Sequence, residues 1–141
     1  MMPPFRYAFH HLGVAVSDLP KAISTYREAL GWQLLSGPFD DPLQEATVCF
    51  LGLPGDPLVI ELVAPLGPQS KIGRILAQGG GAYHVCYQVQ AIDDAVRDLA
   101  ARKFLIVGQP TPATAFGGRR IAWLYAPTRQ LIELVEKAED A

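Results

Sequence analysis

The stretch HLGVAVSDLPKAISTYREAL (11–30) decides the fold, because the chain repeats its pattern as HVCYQVQAIDDAVRDLAARK (84–103). An offset of 73 positions (84 − 11) places one histidine on the other and brings the apolar positions into coincidence. Each stretch opens with the alternating pattern of a β-strand and then changes to a helical period. A repeat of this kind predicts two copies of one supersecondary unit.

The helical part of each stretch has one apolar stripe. Asp18 suits the N-cap of the first helix, Pro20 suits its first turn and Gly31 suits its end. The helical spacing predicts that one face of this helix is buried, formed by Leu19, Ala22, Ile23, Tyr26 and Leu30. The matching stripe of the second helix consists of Ile92, Ala95, Val96 and Leu99.

The repeat also matches at its far end. The strings LVIELVAP (58–65) and QLIELVEK (130–137) share IELV at an offset of 72 (133 − 61). Between each helix and its IELV string lie two further strand-like runs, separated by turn residues: WQLLS and ATVCFLGL in the first half, FLIVG and RRIAWLYA in the second. Each half is therefore predicted to be a βαβββ module.

These observations predict an α+β fold, in which two tandem βαβββ modules form a cupped mixed sheet around a metal site. We place the first module at 8–66 and the second at 82–137, within a single domain over 1–141. The joining stretch 67–81 carries a short helix that begins after Ser70 as its cap and ends at three glycines.

Each module has a histidine on its first strand and a glutamate on its last, 50 residues apart (61 − 11) in one and 49 (133 − 84) in the other. For a single residue, a satisfied histidine or a solvent-facing glutamate is the ordinary explanation. The repetition favours a metal instead, because two imidazoles and two carboxylates suit a divalent Zn, Co, Ni or Mn ion. His10 precedes the strand and has no counterpart at position 83, so it receives no role. The predicted ligands are His11, Glu61, His84 and Glu133.

Composition narrows the classes of partner. The 141 residues are 50% hydrophobic and 18% charged, and their formal net charge is −2. This balance gives no electrostatic reason to expect a nucleic acid or an anionic membrane. The N-terminus lacks the apolar region of a signal peptide, and no apolar run approaches the ~20 residues of a membrane span. We expect a cytoplasmic protein in which Cys49 and Cys86 are buried thiols, although the pattern leaves a disulfide open.

Three strings resemble the vicinal oxygen chelate superfamily, which includes glyoxalase I, extradiol dioxygenases, and the fosfomycin and bleomycin resistance proteins. Within it, the chain is most similar to the methylmalonyl-CoA epimerase family. The matching strings are HHLGVAVSDLPKAISTYREALGW (10–32), IELVAPLGPQSKIGRILAQGGGAYHV (60–85), and FGGRRIAWLYAP (116–127) followed by LIELVE (131–136). They cover most of the chain, and the middle string is the most specific.

The resemblance implies a glyoxalase-like fold and the same four metal ligands. It also implies metal-dependent epimerisation of a methylmalonyl-CoA-type thioester, in which chelation of the substrate acidifies the C2 proton and stabilises an enolate. Glu133 is the first candidate for the catalytic base, as the glyoxalase resemblance suggests, and the repeat makes Glu61 its counterpart.

The sequence departs from the family pattern in three places. Val48 stands where some bacterial epimerases carry a glutamate base, and Tyr83 with His84 replaces a pair of histidines. The segment AFG (115–117) replaces AHG, and the loop YAPTRQ (125–130) is shorter than its family counterpart. These departures leave the second proton donor and the acyl carrier open.

Two other functions remain as alternatives: a glyoxalase I-like lyase or isomerase, and a non-catalytic ligand-binding protein of the resistance kind. The second is disfavoured because both His/Glu pairs are present, and an iron dioxygenase is disfavoured because it uses two histidines and one carboxylate. We expect a small-molecule acyl-thioester substrate and a homodimer, with no nucleic acid or membrane partner. The candidates for contact with CoA phosphates, each equally well explained as surface charge, are Lys71, Arg74, Arg119 and Arg120.

Overall fold

The computed structural model describes residues 6–138, and the chain divides into two compact units. One unit is His11–Tyr83, and the other combines the described residues up to His10 with those from His84 onward. The boundaries lie inside strand β1 (Ala8–Ala15) and strand β5 (Gly81–Val89). The predicted single domain over 1–141 includes termini outside the described residues, and its boundaries stay a prediction.

The unit that begins at His11 contains four sheet strands, which lie in the order β2 (Gln33–Asp41), β3 (Ala46–Gly52), β4 (Val59–Pro65) and β1. Strand β4 pairs antiparallel with β3 and parallel with β1, so the last strand of the module lies beside the first. The first sequence half therefore has the predicted βαβββ order, followed by the joining helix. Its elements after β1 are α1 (Leu19–Leu30), β2 (Gln33–Asp41), β3 (Ala46–Gly52), β4 (Val59–Pro65) and α2 (Ile72–Ala77).

The other unit repeats this arrangement. Its strands lie in the order β5, β8 (Leu131–Glu136), β7 (Arg120–Tyr125) and β6 (Leu105–Pro112). Strand β8 pairs antiparallel with β7 and parallel with β5. The predicted repeat and the α+β class are confirmed. The elements after β5 are α3 (Ile92–Ala101), β6 (Leu105–Pro112), a 3₁₀ turn (Thr114–Phe116), β7 (Arg120–Tyr125) and β8 (Leu131–Glu136).

Helix α1 begins and ends at the predicted residues. Asp18 Oδ1 accepts a hydrogen bond from the Lys21 N–H at 3.0 Å, and Gly31 ends the helix in the left-handed region at φ 75°. The predicted stripe is wrong at Leu30, whose side chain is 58% exposed. Gly31 turns the chain immediately after Leu30. Trp32, which follows the turn, packs instead of Leu30 against the apolar cluster that contains Leu19 and Leu62.

Helices α2 and α3 form where the sequence predicts them, and the residue that caps α2 differs from the prediction. The stripe of α3 is buried as predicted, and it packs with Leu124 of β7 and Leu134 of β8. In the joining stretch the prediction of Ser70 as the cap is wrong, because the N-cap of α2 is Lys71, which makes no side-chain capping bond. The Ser70 hydroxyl, one residue earlier, accepts a hydrogen bond from the Ile72 N–H at 3.2 Å. None of the helices within residues 6–138 is both long and apolar enough to span a bilayer.

Candidate metal centre

The first His/Glu pair lies inside the unit that begins at His11. Strands β1 and β4 run parallel with Gly13 in register with Glu61, and His11 Nε2 lies 3.4 Å from Glu61 Oε1. Ile60 and Leu62 belong to the apolar core, yet Glu61 between them is only 5% exposed. Strand β4 is therefore covered on both faces, and the alternative of a solvent-facing glutamate is wrong.

Two residues of strand β3, Cys49 and Phe50, lie close to this pair. Phe50 of β3 is in register with Glu61, and its ring centroid lies 5.5 Å from that of His11 at an interplanar angle of 73°. Burial, and after it the negative charge of Glu61, raises the pKa of the Cys49 thiol to about 11. Cys49 therefore remains protonated at neutral pH, which makes it a poor metal ligand.

Cys49 and Cys86 are buried free thiols, as predicted, and the disulfide alternative is wrong.

The second pair has the same construction inside the other unit. His84 Nε2 lies 3.3 Å from Glu133 Oε1, and the two residues are 3% and 2% exposed. Trp123 of β7 is in register with Glu133, and its ring centroid lies 4.8 Å from that of His84 at 88°. Each module thus supplies a buried histidine, a buried glutamate and an aromatic ring beside the histidine.

The two aromatic rings are site neighbours that the sequence analysis missed. The repeat contained the signal, because Trp123 follows Phe50 by 73 positions (123 − 50), the same offset that relates the histidines. An aromatic residue in an apolar strand is ordinarily a core residue. Only the distances of Phe50 and Trp123 from an imidazole distinguish them from such residues.

The donor atoms of each pair fit a divalent metal ion. Nitrogen and oxygen ligands bind zinc at about 2.0–2.1 Å in tetrahedral geometry, which separates two neighbouring donors by about 3.3 Å. The separations of 3.4 Å for His11 with Glu61 and 3.3 Å for His84 with Glu133 match that value. A buried carboxylate also requires a compensating positive charge, which such an ion provides.

The four cationic candidates for substrate contact lie in different environments. Lys71 and Arg74 are exposed at helix α2. Arg119 donates from Nη1 to the Glu136 carbonyl oxygen at 3.2 Å, and its guanidinium lies 5.5 Å from the ring centroid of Phe116. Contact of any of the four with a substrate stays a prediction.

Arg120 forms ion pairs within its own unit. Its Nη2 lies 2.9 Å from Asp93 Oδ2, and its Nε lies 3.2 Å from Glu136 Oε2. These hydrogen bonds, first with Asp93 and then with Glu136, raise the pKa of Arg120 above its ordinary value. Two carboxylates already balance this guanidinium, so Arg120 is the weakest of the four candidates for a phosphate contact.

Two further positions complete the picture. Val48 is 6% exposed on β3, in register with Val63, and its side chain can neither accept nor donate a proton. The placement of His10 before the strand is wrong, because β1 already begins at Ala8. The His10 ring meets the Phe116 ring edge-on, with centroids 5.6 Å apart.

Comparison with known proteins agrees with this architecture. A family model for the Glyoxalase/Bleomycin resistance protein/Dioxygenase superfamily matches residues 10–123. The ethylmalonyl-CoA/methylmalonyl-CoA epimerase of Cereibacter sphaeroides is 34% identical over 82% of this chain and 86% of its own length. The mitochondrial methylmalonyl-CoA epimerase of Dictyostelium discoideum is 30% identical over 91% of this chain and 77% of its own length.

A solved structure gives the same answer for the fold. The crystal structure of methylmalonyl-CoA epimerase from Mycobacterium tuberculosis matches with a TM-score of 0.85 at 30% identity, covering 99% of this chain and 94% of that one. The glyoxalase-like fold predicted from the three sequence strings is confirmed. With its twofold βαβββ repeat and the matched span of 10–123, the chain belongs to the glyoxalase/bleomycin resistance protein/dioxygenase superfamily.

Proposed function

We propose that this protein is a metal-dependent epimerase of a methylmalonyl-CoA-type thioester and that it works through an enolate. The observation that carries the proposal is the buried His/Glu pair, which occurs once in each module at nearly the same distance. The epimerase names of relatives that are 34% and 30% identical support the choice of reaction. The proposed ligands of one divalent ion are His11, Glu61, His84 and Glu133.

The donor set supports an ion of intermediate softness. Two neutral imidazoles and two carboxylates carry a total charge of −2, which a divalent cation balances. Zinc, cobalt, nickel and manganese all accept such ligands, so the identity of the ion stays open among these four.

When bound, the ion supplies positive charge that stabilises the developing enolate and makes the C2 proton of the thioester more acidic. The chain supplies the groups that move the proton. An epimerase must remove a proton from one face of a planar carbon and return one to the other. We assign these steps to the carboxylate oxygens of Glu133 and Glu61, which are counterparts in the repeat. Position 48, where some bacterial epimerases carry a glutamate base, is occupied by a valine that cannot move a proton.

A glyoxalase I-like lyase or isomerase is the second candidate. The matched family model has glyoxalase in its description, and the two His/Glu pairs suit glyoxalase chemistry equally well. The substrate decides between the two, because a glyoxalase acts on a hemithioacetal and an epimerase on a 2-substituted malonyl thioester. A non-catalytic binding protein has no need of two buried His/Glu pairs.

Metal analysis followed by deuterium wash-in at C2 of methylmalonyl-CoA tests the proposal. We expect stoichiometric divalent metal and C2 exchange of both enantiomers in the wild type, with exchange of both lost on chelation and exchange of only one enantiomer lost in Glu133→Gln. Glu28→Gln is the matched control, because Glu28 is an exposed carboxylate on helix α1. Turnover of a hemithioacetal without exchange of any 2-substituted malonyl thioester would move the assignment to the glyoxalase branch.

The remaining partners belong to the same proposal. We place the phosphates of CoA near Lys71 and Arg74, whose charges are exposed, and assign a lesser part to Arg119 and Arg120. A homodimer and a cytoplasmic location remain predictions from the sequence. The net charge of −2 supports the expectation that neither a nucleic acid nor a membrane is a partner.

A further inference from the structure

Both ligand histidines lie beside an aromatic ring that stands nearly perpendicular to the imidazole. The approach is closer in the second module, at 4.8 Å and 88° for Trp123 with His84, against 5.5 Å and 73° for Phe50 with His11. In both modules the aromatic residue is also in register with the glutamate of the pair. In each module, therefore, the strand that pairs with the glutamate-bearing strand also supplies the aromatic ring that lies beside the histidine.

The residue across from each ring is matched to the size of the ring. Ser36 of β2 is in register with Phe50, and Gly108 of β6 is in register with Trp123. These two are repeat counterparts at an offset of 72 (108 − 36). A Cβ at Gly108 would lie 3.1 Å from Trp123 Cδ1 and 3.3 Å from Trp123 Cβ. The larger ring thus faces the smaller residue, which leaves the indole its place beside His84.

We propose that Trp123 is a positioning residue for the metal centre, that Phe50 has the corresponding part in the other module, and that Gly108 maintains the position of Trp123. The proposal rests on the proposed function in one respect, the assignment of His84 and His11 as metal ligands. Each ring restricts rotation of its imidazole, so that Nε2 stays directed to the same point as the glutamate Oε1.

The physical need for such a ring comes from the histidine side chain. The torsion that turns an imidazole about its Cβ–Cγ bond has broad minima, so the direction of Nε2 is set by what packs against the ring. A perpendicular aromatic pair is a favourable arrangement of two π-systems. Hydrogen-bonding residues that orient a ligand histidine typically change metal affinity by about 10- to 100-fold when they are removed, and we expect a packed ring with the same orienting role to act within that range.

Titration of metal-stripped protein with Zn²⁺ by calorimetry tests the proposal. We expect Trp123→Ala to weaken zinc affinity by about 10- to 100-fold, and Trp123→Phe to restore it to within a few-fold of the wild type. Trp32→Phe is the matched control, because Trp32 packs on Tyr26 of helix α1. Trp32 lies in one unit, and His84 and Glu133 lie in the other. We expect its affinity to be unchanged.

Gly108→Ala tests the same idea without removing the ring. The added methyl group presses on Trp123, so we expect a several-fold loss of zinc affinity and a shift of the visible absorption bands of the Co²⁺-substituted protein, with the far-ultraviolet circular dichroism retained. This variant keeps the test decisive if Trp123→Ala does not fold.

The outcomes separate this inference from the proposed function. If the wild type binds zinc stoichiometrically while Trp123→Ala and Gly108→Ala bind it with wild-type affinity and unshifted cobalt bands, the positioning role is overturned and the metal site stands. If the wild type binds no divalent ion, the proposed function is overturned, and the inference with it.

Discussion

Glu61 and Glu133 hold the same position in their two units, each on the last strand of a module with its Oε1 beside the Nε2 of a histidine from the first strand. The two separations, 3.4 Å and 3.3 Å, differ by 0.1 Å although the strands share little sequence beyond IELV. A buried carboxylate is costly unless a positive charge compensates it. We therefore expect the free energy of unfolding to depend on the positive charge of a metal ion that compensates these two carboxylates.

Removal of the ion should destabilise the wild type and leave a ligand variant unaffected. A ligand present at 100 times its dissociation constant stabilises a protein by about 2.7 kcal/mol, which corresponds to roughly 5–10 °C in Tm for a chain of this size. We expect that loss on chelation of the wild type, measured by scanning calorimetry, and little further loss on chelation of His84→Ala.

The control for this prediction is a histidine outside the ligand set. His10→Ala changes a residue of the same strand as His11, but its ring packs on Phe116. It should retain stoichiometric metal and the full response to chelation. Stoichiometric metal in the His11→Ala, His84→Ala double variant would contradict the assignment of ligands.

Substrate affinity should depend on the exposed cations of helix α2. Replacement of Lys71 and Arg74 by alanine should raise KM for a CoA thioester about 3- to 10-fold with kcat nearly unchanged, because exposed charge pairs contribute modestly and act mainly on binding. The effect should shrink at high ionic strength. Lys21→Ala, an exposed lysine of α1, should leave KM unchanged. Equal KM values for all these proteins would remove α2 from the binding surface.

Folding stability should show a pH plateau that Tyr7 produces. The Tyr7 hydroxyl donates to Asp98 Oδ2 at 2.7 Å. This hydrogen bond lowers the pKa of Asp98, while burial, followed by the same bond, raises the pKa of Tyr7. Stability from Asp98 is present above its unfolded pKa of about 3.9 and is lost as pH falls through the lowered folded pKa. Stability from Tyr7 is present below about pH 10 and is lost as pH rises through its raised folded pKa.

The variant Tyr7→Phe should therefore be less stable than the wild type by a few degrees in Tm at neutral pH. The difference should be constant between about pH 5 and pH 9 and should shrink towards both extremes. Thermal melts across this range measure it. Tyr125→Phe is the control, because Tyr125 is 42% exposed at the end of β7. A Tyr7→Phe difference that does not vary with pH would assign the loss to packing.

The sequence predicted what the repeat constrains. His11 with His84 and Glu61 with Glu133 are tied together by offsets of 73 and 72, and such a match does not depend on knowing any distance. The caps of α1 were predictable for a similar reason, because the capping hydrogen bond from Lys21 to Asp18 spans only three residues. Local chemistry and internal repetition are both visible in one chain.

Long-range packing was not predictable from the sequence. Arg120 looked like a free cation, but its partners Asp93 and Glu136 lie 27 and 16 positions away, and only the sheet brings them together. Periodicity assigned Leu30 to the buried face because it carries no information on where the chain turns away. In the sequence, Trp123 is an aromatic residue in an apolar strand, which is ordinarily a core position. Only the structure shows that its ring lies 4.8 Å from that of His84.

The last prediction concerns the division of labour between the two glutamates. Glu61→Gln should retain much of the metal, because an amide oxygen still coordinates a hard or borderline cation. An amide cannot accept or donate the proton that a carboxylate moves, and one well-placed acid or base contributes about 10²- to 10⁴-fold in rate. If Glu61 and Glu133 act on opposite faces of the C2 carbon, the loss must fall unequally on the two enantiomers.

We therefore expect Glu61→Gln to slow C2 exchange of one enantiomer of methylmalonyl-CoA by about 10²-fold or more relative to the other. Proton NMR in deuterium oxide, started separately from each enantiomer, measures both rates, and Glu133→Gln should show the opposite preference. Metal analysis of each variant ensures that a slow rate does not reflect an empty site. Wild-type exchange of both enantiomers by metal-loaded Glu61→Gln would make Glu61 a ligand only. With Val48 unable to move a proton, the second base would then have to come from another residue, and the symmetry of the two modules would hold for metal binding alone.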